Sequence, residues 1–142
     1  MSEAKFESRV ATVAESCDTI YRFVTDMRNF SRFIPSGTVT NWEAGPSTCS
    51  FEVAPVGKAN LAISVKEKNS MVKYTGDGLN GTEFILWIQM KEVAEGDSRV
   101  KLTIRADLNP IIRSMAQKPL SDFLEKLVTG VENFKGWHDI RE

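Results

Sequence analysis

The stretch FVTDMRNFSRFIP, Phe23 to Pro35, decides how this chain is read. It puts helically spaced apolar residues and a proline stop between two regions of strand character: an opening segment, Phe6 to Ala14, and a long meander from Val39 to Leu108. Only the tail, Pro110 to Phe134, returns to helical spacing. One strand, two short helices, a run of strands and one long helix make an α+β order in which a single sheet buries its apolar face against a single helix.

Working outward from that stretch, Ser16 or Asp18 supplies the N-cap, since its side-chain oxygen accepts an N–H of the first turn. Ile20, Phe23, Val24 and Met27 recur at intervals of three and four, one apolar stripe. Phe30, Phe33 and Ile34 continue into a second short helix. It ends at Pro35, which lacks an N–H and forces Ile34 out of helical geometry. Asp26 and Asn29 read as joint residues, because both side chains bond nearby backbone readily. In the opening strand Phe6, Ser8 and Val10 share one face, and Lys5, Glu7 and Arg9 the other.

The meander divides into six strands: Val39 to Glu43, Thr48 to Val53, Asn60 to Lys66, Met71 to Gly76, Thr82 to Val93 and Arg99 to Leu108. Their dry face is written by alternation: Cys49, Phe51, Val53; Leu61, Ile63, Val65; Val72, Tyr74; Phe84, Leu86, Ile88, Met90; Val100, Leu102, Ile104, Ala106. Ile85 and Trp87 break the pattern on the opposite face and read as a local cluster, with a covered edge or a dimer contact as alternatives. In the tail Leu120, Phe123, Leu124, Leu127, Val131 and Phe134 form a helical stripe. Pro119 is expected in the first turn of that helix after a separate turn, Ile111 to Met115, with one kinked helix as the alternative. The stripe needs an apolar partner, and the sheet's dry face, curved around it, is the one on offer.

Residues 1–142 fit one domain. With 18 basic and 19 acidic residues the chain has no general field to recruit nucleic acid. No apolar stretch approaches the ~18 residues of a membrane span, and the opening lacks a secretory pattern, so a cytoplasmic protein is expected. Cys17 and Cys49 are unclustered and read as buried thiols rather than a disulfide or zinc site.

Gly76, Gly78 and Gly81 satisfy GxGxxG, but that fingerprint needs a helix next, and the β-forming run after Thr82 rejects it. Asn80-Gly81 is a hairpin turn signal instead. His138, the single histidine, sits in a polar tail, and no Ser/His/Asp or Cys/His arrangement is legible. No catalytic residue, metal or cofactor is expected. Glu52 and Glu83 fall opposite the dry face, as do Arg105 and Asp107. The pocket candidates are large or pliable residues: Trp42, Tyr74, Phe84, Met90, Met115, Phe123 and Leu127. Ordinary core packing accounts for each of them equally well.

The stretches ESCDTIYRFVTDMRNFSRFIP (15–35), FEVAPVGKANLAISV (51–65), LWIQM (86–90) and KLTIRADLNPIIRSMAQKPL (101–120) resemble the START and birch-pollen-allergen-like superfamily, often called SRPBCC, in its small stand-alone bacterial members. The resemblance covers nearly the whole chain. It implies the helix-grip fold: a curved antiparallel sheet of about seven strands, two short helices after the first, and a long C-terminal helix across the sheet. It further implies a cavity between sheet and helix for a lipid, polyketide, quinone or other apolar molecule. The glycine-rich loop of the plant allergen branch and the acid/base set of polyketide cyclases have no counterpart here, and the coenzyme Q-binding branch shares the FSRFIP ending in outline. The expectation is therefore a non-catalytic carrier or sensor of a hydrophobic small molecule, monomer or homodimer, with no nucleic-acid partner. Its rivals are a polyketide cyclase or dehydratase, and a protein-binding module using Ile85 and Trp87.

Overall fold

The N-terminal strand of this chain is two strands, and the break between them shapes the rest. The computed structural model describes residues 2–32, 39–53, 57–78, 83–108 and 110–137. In order the elements are β1 (Ser2–Glu7), β2 (Ala11–Val13), α1 (Cys17–Val24), a 3₁₀ helix (Met27–Arg32), β3 (Val39–Ala44), β4 (Thr48–Val53), β5 (Gly57–Glu67), β6 (Met71–Gly78), β7 (Phe84–Ala94), β8 (Asp97–Leu108) and α2 (Pro110–Asn133). The eight strands form one antiparallel sheet ordered β1-β8-β7-β6-β5-β4-β3, with β2 pairing β8 beyond β1. Phe33, Ile34, Pro35, the Asn80-Gly81 turn and His138 lie outside the described residues, as does the side chain of Val53.

Between the pairs Glu7↔Thr103 and Ala11↔Val100, three residues face two, a one-residue bulge. Ser8 makes it possible: its N–H donates to Leu102 O and its hydroxyl accepts Leu102 N–H, both at 2.9 Å. Because a strand's side chains alternate, the extra residue inverts the pattern. Val10 is consequently 55% exposed and Ala11 and Val13 take the buried face, correcting the expected grouping of Val10 with Phe6. The same happens in β5, where the register shifts between Ile63↔Tyr74 and Val65↔Lys73, so Val65 points outward beside Lys73. The remaining dry-face residues with described side chains are buried, apart from the half-buried Ile63.

Ser16 is the N-cap of α1, its hydroxyl accepting Thr19 N–H at 3.2 Å. The β7–β8 hairpin grips the same end: Glu92 accepts Cys17 N–H at 2.8 Å and Ser98 donates to Glu15 O at 2.7 Å. The joint into the 3₁₀ helix is held by Asp26, which accepts Arg28 N–H, and by the buried Asn29, whose Nδ2 donates to Phe23 O at 3.1 Å. Arg28 also pairs with Asp26 at 2.6 Å and holds its carboxyl below the usual range. Ile20, Phe23, Val24, Met27 and Phe30 pack into the sheet's dry face.

The tail is one helix with Pro119 inside it, not a turn followed by a helix, so of the two expected arrangements the single helix holds. Lacking an N–H, Pro119 leaves Met115 O without its i+4 donor and divides α2 in two. Beyond it Leu120, Phe123, Leu124, Leu127, Val128 and Val131 are buried, α2 packing on β1, β2 and β8; before it Ile111 and Met115 are 74% and 52% exposed. Phe134 and Trp137 then close over Phe23, with ring centroids 5.0 and 5.1 Å away. Among the described residues no helix is long and apolar enough to cross a membrane.

Candidate ligand cleft

The floor of the cleft is a single cross-strand row. Ala4, Ala106, Phe84, Gly76, Leu61 and Cys49 sit side by side on β1, β8, β7, β6, β5 and β4 in paired register. Four of the six are small, so the floor dips where α2 crosses it. Gly76 lets the Phe84 ring lie across the strand: a Cβ there would meet Phe84 Cζ at 2.3 Å and Asn60 O at 2.7 Å. Phe51, paired with Ala59, repeats the large-against-small arrangement.

Leu120 and Phe123 of α2 form the roof. Together with Phe51, Ala59, Leu61, Phe84, Leu86 and Ile104 they enclose a cleft lined by carbon, with about 20 Å³ free. That is room for about one water molecule, which would find no hydrogen-bond partners there. A row of rings leads into it: Phe30 lies 6.5 Å from Trp42, Trp42 5.5 Å from Phe51, and Phe51 6.2 Å from Phe123, each pair stacked. Trp42 joins the row because β3 is bulged between Thr40 and Glu43, with Asn41 in the left-handed region at φ 53°.

The polar groups next to the cleft are engaged or neutral. Tyr74 is fully buried and donates its hydroxyl to Val24 O at 2.7 Å; burial pushes its pKa well up, with Cys49 adding to the shift. Burial likewise pushes the Cys49 thiol up to about 12. Glu52 and Glu83 are on the far side of the sheet, alternating with the buried Phe51 and Phe84. Among the described residues no three His, Cys, Asp or Glu side chains gather as metal ligands.

Of the seven pocket candidates, Phe84 and Phe123 line the cleft. Trp42 is half-buried in the ring row, Tyr74 is bonded to α1, and Leu127 is buried one turn beyond Phe123. Met90 is buried near the β7–β8 hairpin, paired with Val100, and Met115 is exposed on the outer half of α2. Sequence reasoning did not single out Phe51, Ala59, Leu61, Leu86, Ile104 or Leu120 as lining. The signal that marks them is a small inward residue paired with a large one across the strands, Gly76 and Ala106 with Phe84 at one level and Ala59 with Phe51 at the next inward level.

No family model matches the chain, and no curated protein matches its sequence. Solved structures do. A START superfamily protein from Mycobacterium smegmatis has a TM-score of 0.65 at 16% identity, over 92% of this chain and 94% of that one. A protein from Thermus thermophilus gives 0.66 at 15%, over 91% and 94%. Norcoclaurine synthase from Thalictrum flavum, solved in complex with dopamine and hydroxybenzaldehyde, gives 0.66 at 12%, over 94% and 89%. With its gripped C-terminal helix and this likeness along nearly its whole length, the chain has the START-like helix-grip fold.

Proposed function

We propose that this protein binds a flat, ring-bearing apolar molecule in the cleft between its sheet and α2, as a carrier or sensor rather than an enzyme. The observation that carries the reading is the stacked row Phe30, Trp42, Phe51, Phe123 ending in a carbon-lined cleft. Ring faces stack on planar ligands, and apolar walls without hydrogen-bond partners reject polar ones. Among the described residues the lining holds no acid, base or nucleophile, which supports binding over catalysis. The helix-grip fold of the START superfamily protein fits this use, and polyketide- or quinone-like rings fit the row better than an acyl chain.

The free space is far below the roughly 300–1,000 Å³ of ligand sites, so the cleft has to widen. Pro119 supplies the place: the half of α2 before it is exposed, the half after it buried, and the missing hydrogen bond lies between them.

Calorimetric titration with an alkylated naphthoquinone and with a straight-chain fatty acid of equal length tests the proposal. The quinone is expected to bind more tightly. Leu120→Phe, which thickens the roof, is expected to weaken it about tenfold, equivalent to about 1.4 kcal/mol. Tighter binding of the fatty acid, or a quinone affinity indifferent to Leu120→Phe in a variant that melts like the parent, overturns the reading.

A further inference from the structure

A second, wider concavity lies on the other face of the sheet. Two cross-strand rows form its floor by register: Arg105, Ile85, Thr75, Ala62 and Thr48 in one; Asp77, Asn60, Ser50 and Glu43 in the next. The sheet's twist turns these rows into a trough of about 1010 Å³, open to solvent, with Glu83 and Asp107 at its end. Ile85 and Ala62 give it an apolar strip.

Its charge is one-sided. Among the described residues that line it, Glu43, Asp77, Glu83 and Asp107 stand with one cation, Arg105, a formal −3 in a chain whose total is −1. Among the described residues none of the four carboxylates is in an ion pair; Asp77 has only the neutral Asn60 amide, at 2.9 Å. Arg105 itself lies over the Trp87 ring, 5.6 Å from its centroid. Unpaired carboxylates crowded in a concave surface repel one another and focus a field that attracts a cationic partner.

The same chain carries a complementary surface. The half of α2 before Pro119, PIIRSMAQK, has two basic residues, Arg113 and Lys118, and no acidic one, with Ile111 and Met115 standing exposed. Exposed large apolar groups beside like charges mark an interaction surface. Its size also fits. Nine helical residues make a cylinder about 13 Å long and about 10 Å across, roughly 1,000 Å³.

We propose that the protein forms a two-fold dimer in which residues 110–118 of each copy seat in the acidic trough of the other. Arg113 and Lys118 meet the Glu43, Asp77, Glu83 and Asp107 carboxylates, and Ile111 and Met115 cover Ile85 and Ala62. Asp107 and Pro110 are near neighbours in the chain, so trough and helix half share one end of the molecule and a single axis joins both contacts, closing the assembly. The contact is small and charged, which makes the dimer weak and salt-sensitive.

Sedimentation equilibrium of the full chain tests this. The mass is expected to rise with concentration from 15.9 kDa toward twice that value at low salt, and to return to the monomer near 1 M salt, where the Debye length is about 3 Å. Glu83→Lys with Asp107→Lys makes trough and helix both positive; Arg113→Glu with Lys118→Glu makes both negative. Each variant alone is expected to stay monomeric, and an equimolar mixture to dimerise, since each trough then meets a helix of opposite sign. Thermal melts of the two variants confirm that they fold. A parent that is monomeric at every concentration, an association indifferent to salt, or a mixture that stays monomeric overturns the proposal; oligolysine binding to a strictly monomeric parent also overturns it, assigning the trough to another basic partner.

Discussion

Arg9 and Glu132 join the bulge after β1 to the far half of α2. Arg9 Nη1 lies 3.0 Å from Glu132 Oε1, while Glu132 Oε2 accepts Thr12 N–H at 3.2 Å. Arg9 also donates to Thr129 and lies 3.6 Å from Glu125, so one guanidinium spans positions 125, 129 and 132 on a single helix face. The bulge that turns Val10 outward is what brings Arg9 to the helix. This fastening falls on the half of α2 beyond Pro119.

This contact has a pH signature. The Thr12 N–H first, and Arg9 second, hold the Glu132 carboxyl below the ordinary range, with burial opposing. A depressed folded-state pKa contributes stability above the ordinary carboxylate value, near 4.5, and loses it as pH falls through the lowered value. Glu132→Gln is therefore expected to melt at a lower temperature than the parent at pH 7 and to show a shallower fall in melting temperature below about pH 4.5. Equal slopes in thermal melts followed by circular dichroism would count against it.

Tyr74 ties β6 to α1 through the bond to Val24 O. Tyr74→Phe keeps the ring but leaves a buried carbonyl without its donor, and is expected to cost about 1–3 kcal/mol in urea unfolding. Tyr74→Leu, which also empties ring volume against Phe30, is expected to cost more. A Phe variant as stable as the parent would mean that Val24 O finds another partner.

How much of the fold is readable from sequence depends on parity. The strands, the capped helix and the dry face follow from alternation, because burial on one face selects every second residue. The exceptions, Val10 and Val65, lie just past bulges, where one inserted residue inverts the alternation without altering composition. Pro119 misleads because its geometry suits a first turn better than a helix interior, and packing of Leu120 onward places it in the interior. The cleft and the outer trough depend on which residues of neighbouring strands stand opposite one another. That register is a property of the paired sheet, so Phe51 and Leu61 can be assigned from sequence to a face and not to a site.

Gly76 is the position where the cleft floor tolerates no side chain. In Gly76→Ala the new Cβ would collide with Phe84 on one side and with the Asn60 carbonyl on the other. The ring can turn; the backbone oxygen cannot retreat without disturbing β5. An expected loss of about 1–3 kcal/mol in urea unfolding, accompanied by changed chemical shifts for Phe84, checks this. Wild-type stability would show that β5 shifts freely.

Cys49 is expected to resist alkylation. With its pKa pushed up to about 12, roughly one thiol in ten thousand is ionised at pH 8, against a substantial share of ordinary thiols. Iodoacetamide labelling followed by peptide mass spectrometry is expected to modify Cys49 only in denaturant. Since the folded-state value is raised, its contribution to stability is intact below the ordinary thiol value, near 9, and falls as pH climbs toward 12. Cys49→Val is expected to flatten that alkaline decline, and rapid native labelling at pH 8 would refute the burial assigned to it.

The pairing of β1 with β8 also bears on how the protein is made. Ser2 lies opposite Leu108, so β1, made before the whole meander, finds its partner only after almost all of that meander has followed. At about 5–20 residues per second that interval lasts on the order of several seconds, during which the apolar face of the meander has only α1 and the 3₁₀ helix, and not α2, to cover it. Non-local closure of this kind is slow even in the finished chain. Shelter for the nascent meander until its last strand and α2 arrive is therefore expected to raise the yield of folded protein.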